Sequence, residues 1–409
     1  MILFSNCRLI DGVSDMAREG HHVLIEGGRI KEVSDTPIRV TGAREIDLKG
    51  RTLMPGLIDA HVHVYSTHLN SDKERGMPHT LMMAHAIHRV KAMLMRGFTT
   101  VRDVAGGDWG MKMAVELGLI EGPRMFVSGR ALSQTGGHGD HRHRTDDTVP
   151  CACTSALDIM TRLADGPDQV RYAVREELRK GADHIKVMVS GGVGSPHDAL
   201  EHTQYSMEEL RVVVAEATAR GTYVAAHSYT AESTRRAVEC GIRTIEHGNF
   251  VDPVTARLMA EHGTFMVPTL ICYSESADNA DAYGLRDEVK RKLAEVNAAG
   301  LQMLEVCRDA GVTMGFGTDL MGEMIVAQTR EFELRANVLK PMDIIRSATS
   351  VNAEILGQSG RLGCIAPGAY ADLLVVDGDP TVDISLLDER KHAVLAIMKD
   401  GGFCKDELK

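Results

Sequence analysis

Two histidines, His61 and His63, stand one valine apart at the end of the apolar run GLIDAHVHV. On an extended strand, side chains two apart point the same way, so both imidazoles can face one metal ion. The pair alone decides little, because 18 histidines in 409 residues produce about one His-x-His by chance. His141 and His143 form a second such pair, in an expected loop, and read there as solvated polar residues. The first pair gains weight from recurrence. Lys186 lies in HIKVMVSGG, His227 in TYVAAHS, His247 in RTIEHG and Asp319 in MGFGTD. Side chains of metal-binding type thus recur toward the C-terminal ends of apolar, strand-like runs.

Those runs define the elements that must position them. Between about 56 and 360, eight strand-like segments alternate with helical patterns: GLIDAHVHV, FTTVRDV, RMFVSG, HIKVMVSG, TYVAAHS, RTIEHG, TFMVPTL and VTMGFGTD. One helix is expected from Asp168, with Val170, Ala173, Val174 and Leu178 on one face and Gly181 as its terminating glycine. Another begins with Ser206 and Glu209 as a capping box, followed by Leu210, Val213, Val214 and Ala217. Eight strand–helix alternations predict an α/β fold, a (β/α)8 TIM barrel, whose strand C-termini converge on one active face. Residues 1–55 and the segment after 360 read differently. They contain short strands with a Gly27-Gly28 hairpin signal, and strand-like runs return at ADLLVVDG and AVLAIMKDGG. The expected organisation is a barrel over 56–360 and a small β-sandwich-like domain built from 1–55 plus 361–409.

The order His-x-His, Lys, His, His, Asp on the first, fourth, fifth, sixth and eighth barrel strands resembles the amidohydrolase superfamily with two metal ions. The resemblance spans nearly the whole chain, including PGLIDAHVH and PGAYADLLVVDG. It implies that His61, His63 and Asp319 bind a buried divalent ion, typically Zn2+, and that His227 and His247 bind a more exposed one. Lys186, carboxylated by CO2, would bridge both. The chemistry is coherent. A lysine without a partner in an apolar strand has a depressed pKa, so its neutral amine can attack CO2. The carbamate, Asp319 and a bridging hydroxide would offset most of the charge of two Zn2+, leaving about +1 to face a developing oxyanion. Two such ions lower the pKa of a shared water and polarise a carbonyl. Asp319 can take the proton and hand it to the leaving amine. The competing reading of Lys186 is a structural ion pair, for which Asp183 is at hand.

Within the superfamily, SGRALSQTGGHGD, AAHSYT, RTIEHGN, VPTL and MGFGTDLMGE resemble the imidazolonepropionase-related group, and inside it the Xaa-Pro dipeptidase (prolidase) branch. That resemblance implies that His138 contacts the tetrahedral oxygen and Tyr229 the substrate carboxylate. The segment ICYSESADNADAYG after the seventh strand, which holds Tyr273 as a further substrate-binding candidate, would shape the pocket for the C-terminal residue. Its Glu275, Asp278 and Asp281 leave two readings: a solvated acidic loop, which suits proline, or a partner for the basic side chain of an Xaa-Arg/Lys substrate. An imidazolonepropionase-like cyclic amide hydrolase is a third reading; that family uses one metal and lacks the bridging lysine. An inactive barrel scaffold is the non-enzymatic alternative, and no ligand has been lost here. The Gly-rich SGGVGS (190–195) lacks a P-loop lysine, so phosphate binding is a weak reading.

A net charge of −11 argues against nucleic acid or an anionic membrane as partner. The expected partner is a small-molecule substrate, with the chain a homo-oligomer. No apolar run reads as a signal peptide or a membrane span. Eight scattered cysteines, including the C-x-C at Cys151 and Cys153, fit reduced thiols in a cytoplasm.

Overall fold

The chain enters through five short strands: β1 (Ile2–Leu9), β2 (Arg18–Glu26), β3 (Arg29–Ser34), β4 (Arg44–Asp47) and β5 (Thr52–Pro55). The structure, a computed structural model, describes residues 1–69, 71–148, 157–195 and 198–408. Cys151 and Cys153 lie outside the described residues. Gly27 and Gly28 close the β2–β3 hairpin at φ 57° and 78°, the two left-handed positions of a tight hairpin turn. Gly56 then passes the chain into the barrel. A Cβ there would sit 2.2 Å from Thr99 Oγ1, so only glycine fits this handover.

Nine strands follow: β6 (Leu57–Val62), β7 (Phe98–Asp103), β8 (Arg124–Val127), β9 (Ala131–Ser133), β10 (Thr161–Leu163), β11 (Ile185–Met188), β12 (Val224–Thr230), β13 (Thr244–Phe250) and β14 (Phe265–Val267). All pair in parallel, in the orders β6-β7-β8 and β10-β9-β11-β12-β13-β14. The expected third strand, RMFVSG, is β8, which pairs with β7. A further short strand outside the expected set, β9, follows it and pairs with β11. The expected eighth strand is irregular, yet it closes the barrel. Met266 N–H donates to Thr313 O at 3.0 Å on one side, and Ala60 N–H and Asp319 N–H donate to Phe316 O and His61 O at 2.8 Å on the other.

The barrel strands β6, β7, β9, β11 and β14 are buried along their whole length, and β8 at alternate residues, as helices on the outside and packed side chains within require. The helix Gly166–Arg179 buries Val170, Ala173, Val174 and Leu178, and Gly181 follows it at φ 98°. The capping box of Ser206 and Glu209 starts the helix Met207–Ala219. One expected loop is instead ordered: Leu270–Asp278 is a helix. The chain ends in β15 (Leu373–Val376), β16 (Val394–Lys399) and β17 (Gly402–Asp406). These join the N-terminal strands in one sheet, β17-β16-β15-β5-β1-β2-β3 with β4 beside β1, over a core that includes Phe4, Leu9, Leu53, Leu373 and Met398. Among the described residues, no helix is long and apolar enough to cross a membrane.

Candidate metal centre

His61 ends β6 with its two ring nitrogens differently engaged. Nδ1 lies 2.8 Å from Glu246 Oε2, and Nε2 lies 3.4 Å from Asp319 Oδ1. His63 repeats the pattern, with Nδ1 3.2 Å from Ala105 O and Nε2 3.0 Å from Asp319 Oδ1. Each Nδ1 meets an oxygen that only accepts and so donates to it, and each Nε2 meets Asp319, a contact that either a second ring proton or a shared cation satisfies. Burial pushes His63 down, but Asp319 more than compensates and its pKa is raised. Asp319, which burial would raise, is held well below the usual carboxylate range by His61 and His63.

His247 comes from β13. Its Nδ1 lies 2.8 Å from the Tyr273 hydroxyl, 2.9 Å from Thr269 Oγ1 and 3.9 Å from Asp319 Oδ2. Ligand atoms of His61, His247 and Asp319 all fall within 4.8 Å of one another. His247 thus stands beside the pair that the sequence resemblance assigns to the other ion. His227, on β12, places Nε2 3.2 Å from Gly191 O, and its ring lies 4.7 Å from that of His247. His247 and Asp319 both adopt left-handed backbone, at φ 73° and 53°. Non-glycine residues pay for that conformation, and the cost concentrates at sites that need a side chain aimed. The set of imidazole nitrogens and one carboxylate is the donor chemistry of a zinc-like divalent ion.

Lys186 points from β11 into the same place. It is 2 % exposed, and its Nζ makes no hydrogen bond or ion pair among the described residues. Asp183 is not its partner; that carboxylate takes Lys112 Nζ at 2.7 Å and Val127 N–H at 2.9 Å. Burial lowers the Lys186 pKa to about 8, against the pull of Glu246.

Above these groups opens a cavity of about 410 Å³. His138, Tyr229 and Tyr273 line it together with His61, His63, Lys186, His227, His247 and Asp319, so all nine candidates meet in one space. The His138 ring stacks on His227 at 4.2 Å, and its Nδ1 lies 2.9 Å from Ser195 Oγ. The glycine-rich 190–195 segment makes this approach possible: a Cβ on Gly192 would lie 2.1 Å from the His138 ring. That close packing explains the glycine at 192. Tyr229 and Tyr273 join hydroxyls at 3.0 Å. His141 and His143 also line the cavity; His143 is an exposed loop residue as expected, whereas His141 is half-buried and burial lowers its pKa to about 4.

The amidohydrolase family's sequence model matches residues 52–403. The chain belongs to the amidohydrolase family. It is 31% identical over 393 residues to ochratoxinase of Aspergillus niger, covering 91% of this chain and 79% of that one. Among solved structures, it matches an amidohydrolase at 51% identity and TM-score 0.97, over 100% of both chains. It also matches a prolidase complexed with N-methylphosphonate-L-proline at 47% identity and TM-score 0.96, over 99% of both.

In this amidohydrolase several site residues escape a motif reading. Glu246 is fully buried, bonded to Arg102 at 2.8 Å and to His61. Burial opposes its ionisation, yet Arg102 holds its pKa well below the usual range. Asp59 accepts from Thr318 Oγ1 at 2.6 Å and from Gln328 Nε2 at 3.0 Å, bracing the loop that carries Asp319. Their signal was a charged residue inside an apolar strand run, as in GLIDAHV and RTIEHG. The acidic segment also needs correction. Glu275 does not face water: it is 7 % exposed and paired with Arg330 at 2.6 Å. Asp281 is taken by Lys290 at 2.7 Å, and Asp278 is exposed.

Proposed function

We propose that this amidohydrolase is a binuclear prolidase, cleaving the amide bond of Xaa-L-Pro dipeptides and N-acyl-L-proline. The observation that carries the reading is the likeness, at 47% identity over 99% of both chains, to a prolidase holding a phosphonate analogue of a prolyl amide. The cavity agrees with it. A prolyl ring needs a compact, uncharged wall, and in the acidic segment Glu275 is paired with Arg330 and Asp281 with Lys290, while Asp278 is exposed to solvent. An unpaired buried cation is costly, and that segment offers no carboxylate to the side chain of an Xaa-Arg or Xaa-Lys substrate, since none of Glu275, Asp278 and Asp281 lines the cavity.

In this reading His61, His63, His227, His247 and Asp319 would hold two Zn2+ ions, and Lys186, as its carbamate, would complete the ligand set. When bound, the pair supplies a nucleophile at neutral pH and polarises the scissile carbonyl. Asp319, kept ionised by its two histidines, accepts the proton of the attacking water and delivers it to the departing prolyl nitrogen. His138 donates to the oxygen on which charge develops, and Tyr229 with Tyr273 receives the substrate carboxylate. We assign the hydrolytic unit to 56–360, with 1–55 plus 361–409 as its companion domain. The retained lysine disfavours an imidazolonepropionase-like activity, and the complete ligand set disfavours a scaffold. The test is a screen of zinc-loaded enzyme on Xaa-Pro, Xaa-Arg and N-acyl amino acid libraries. Prolyl substrates should rank first; efficient cleavage of Xaa-Arg with none of Xaa-Pro overturns the reading.

A further inference from the structure

Glu74, in the short helix Ser71–Arg75, is an acidic group that the proposed chemistry does not use. It is 4 % exposed, and among the described residues it and Asp319 are the carboxylates that line the cavity. Asp319 is committed to His61 and His63. Glu74 is committed to no cation. Its Oε1 accepts Thr67 N–H at 2.8 Å, and it makes no ion pair among the described residues. Arg89, close enough to act on it electrostatically, gives its N–H groups to the carbonyls of Gly322, Leu320 and His63 at 2.7, 2.9 and 3.3 Å. The neighbouring Arg75 bonds His141 O and faces Asp146 at 3.7 Å. A buried carboxylate without a cation is costly unless a ligand completes it. The cavity wall also carries the reverse charge: Arg286, from the start of the helix Asp287–Ala310, lines it and makes no ion pair among the described residues. A buried carboxylate and an exposed guanidinium, neither in an ion pair among the described residues and both lining one 410 Å³ space, suit a zwitterion.

We propose that Glu74 receives the α-ammonium of a dipeptide, so that the enzyme prefers a free N-terminus to an N-acyl group. The inference rests on the proposed hydrolysis in the same cavity and adds which end of the substrate is read by charge. The substrate pair that isolates it is Ala-Pro and isobutyryl-L-proline, in which a methyl replaces the ammonium. In the wild type, kcat/KM should favour Ala-Pro by at least about tenfold, the scale of a hydrogen bond to a charged group. Glu74→Gln keeps an oxygen for Thr67 N–H and removes the charge; the ratio should collapse toward one, chiefly through KM, with zinc content and melting temperature retained. Glu74→Asp should keep part of the preference. A wild-type ratio of one or less overturns the proposal, and so does a Glu74→Gln ratio equal to that of the wild type. Should Glu74→Gln fail to fold, the wild-type ratio decides alone. If neither prolyl compound is cleaved, the prolidase reading fails by itself, and Ala-Leu against isobutyryl-L-leucine still reads Glu74.

Discussion

Lys186 sits among buried groups with no counter-ion of its own, and burial draws its pKa down to about 8. A lysine retained only for packing would be expected to reach a carboxylate, and the available one, Asp183, is held by Lys112 instead. The amine is therefore suited to modification by CO2 and to metal bridging. Lys186→Ala should lose both zinc and activity, and short carboxylic acids added with zinc should restore part of each. Metal analysis beside turnover checks this, and a fully active variant would exclude the bridge. Tyr229 allows a second test at this scale. Its hydroxyl is 3.0 Å from that of Tyr273, itself 2.8 Å from His247 Nδ1. If the phenol meets the substrate carboxylate, Tyr229→Phe should cost about 1.5–3 kcal/mol in kcat/KM. The loss should shrink on a C-terminally amidated substrate. Equal losses on acid and amide would mean that the hydroxyl serves the Tyr273–His247 chain alone.

The helix Leu270–Asp278 shows how an element decides what its residues can do. Its periodicity is weak and its acidic residues suggest a solvated loop. In the fold its start is held by Ile271 N–H donating to Glu331 at 2.7 Å, and its middle by Glu275 on Arg330 at 2.6 Å. Tyr273 is fixed between those two anchors, which places its hydroxyl at His247. Glu275→Gln should therefore destabilise the protein by about 1–2 kcal/mol, the pair being discounted because the Arg330 side chain is 35% exposed. It should also weaken all substrates alike by loosening Tyr273. Denaturation curves and kcat/KM on Xaa-Pro and Xaa-Arg measure both. A steep loss confined to Xaa-Arg would place the carboxylate against the substrate after all.

At the scale of the molecule, the proposed ligands come from β6, β11, β12, β13 and the closing segment that ends at Asp319. A metal pair there would add a tie between strands already joined by backbone pairing, packing and the contacts of Glu246 with Arg102 and His61. Ligand binding to the native state alone stabilises by about 2.7 kcal/mol at a hundredfold excess over Kd. Stripping the metal with a chelator should lower the melting temperature, and zinc should restore it. A melting curve indifferent to chelation and to added zinc would leave the buried histidines without the cation that their geometry calls for.

Much of the barrel was legible in sequence because its signals are local. Apolar runs, turn glycines and the Ser206–Glu209 capping box each act over a few residues, and the ligand candidates announce themselves by falling toward the ends of those runs. The tertiary structure decided what depends on distant partners. Glu246, 185 positions from His61, sets that ring's proton. Arg330 turns Glu275 from a candidate specificity group into an internal ion pair. The short β9 exists as a strand only through its pairing with β10 and β11. Glu74 looks unremarkable in its helix; only the folded chain sets it in the cavity wall while Arg89 is spent on carbonyls. Residue type and period carry the first kind of information, whereas charge pairing and burial exist only once segments far apart in the chain have met.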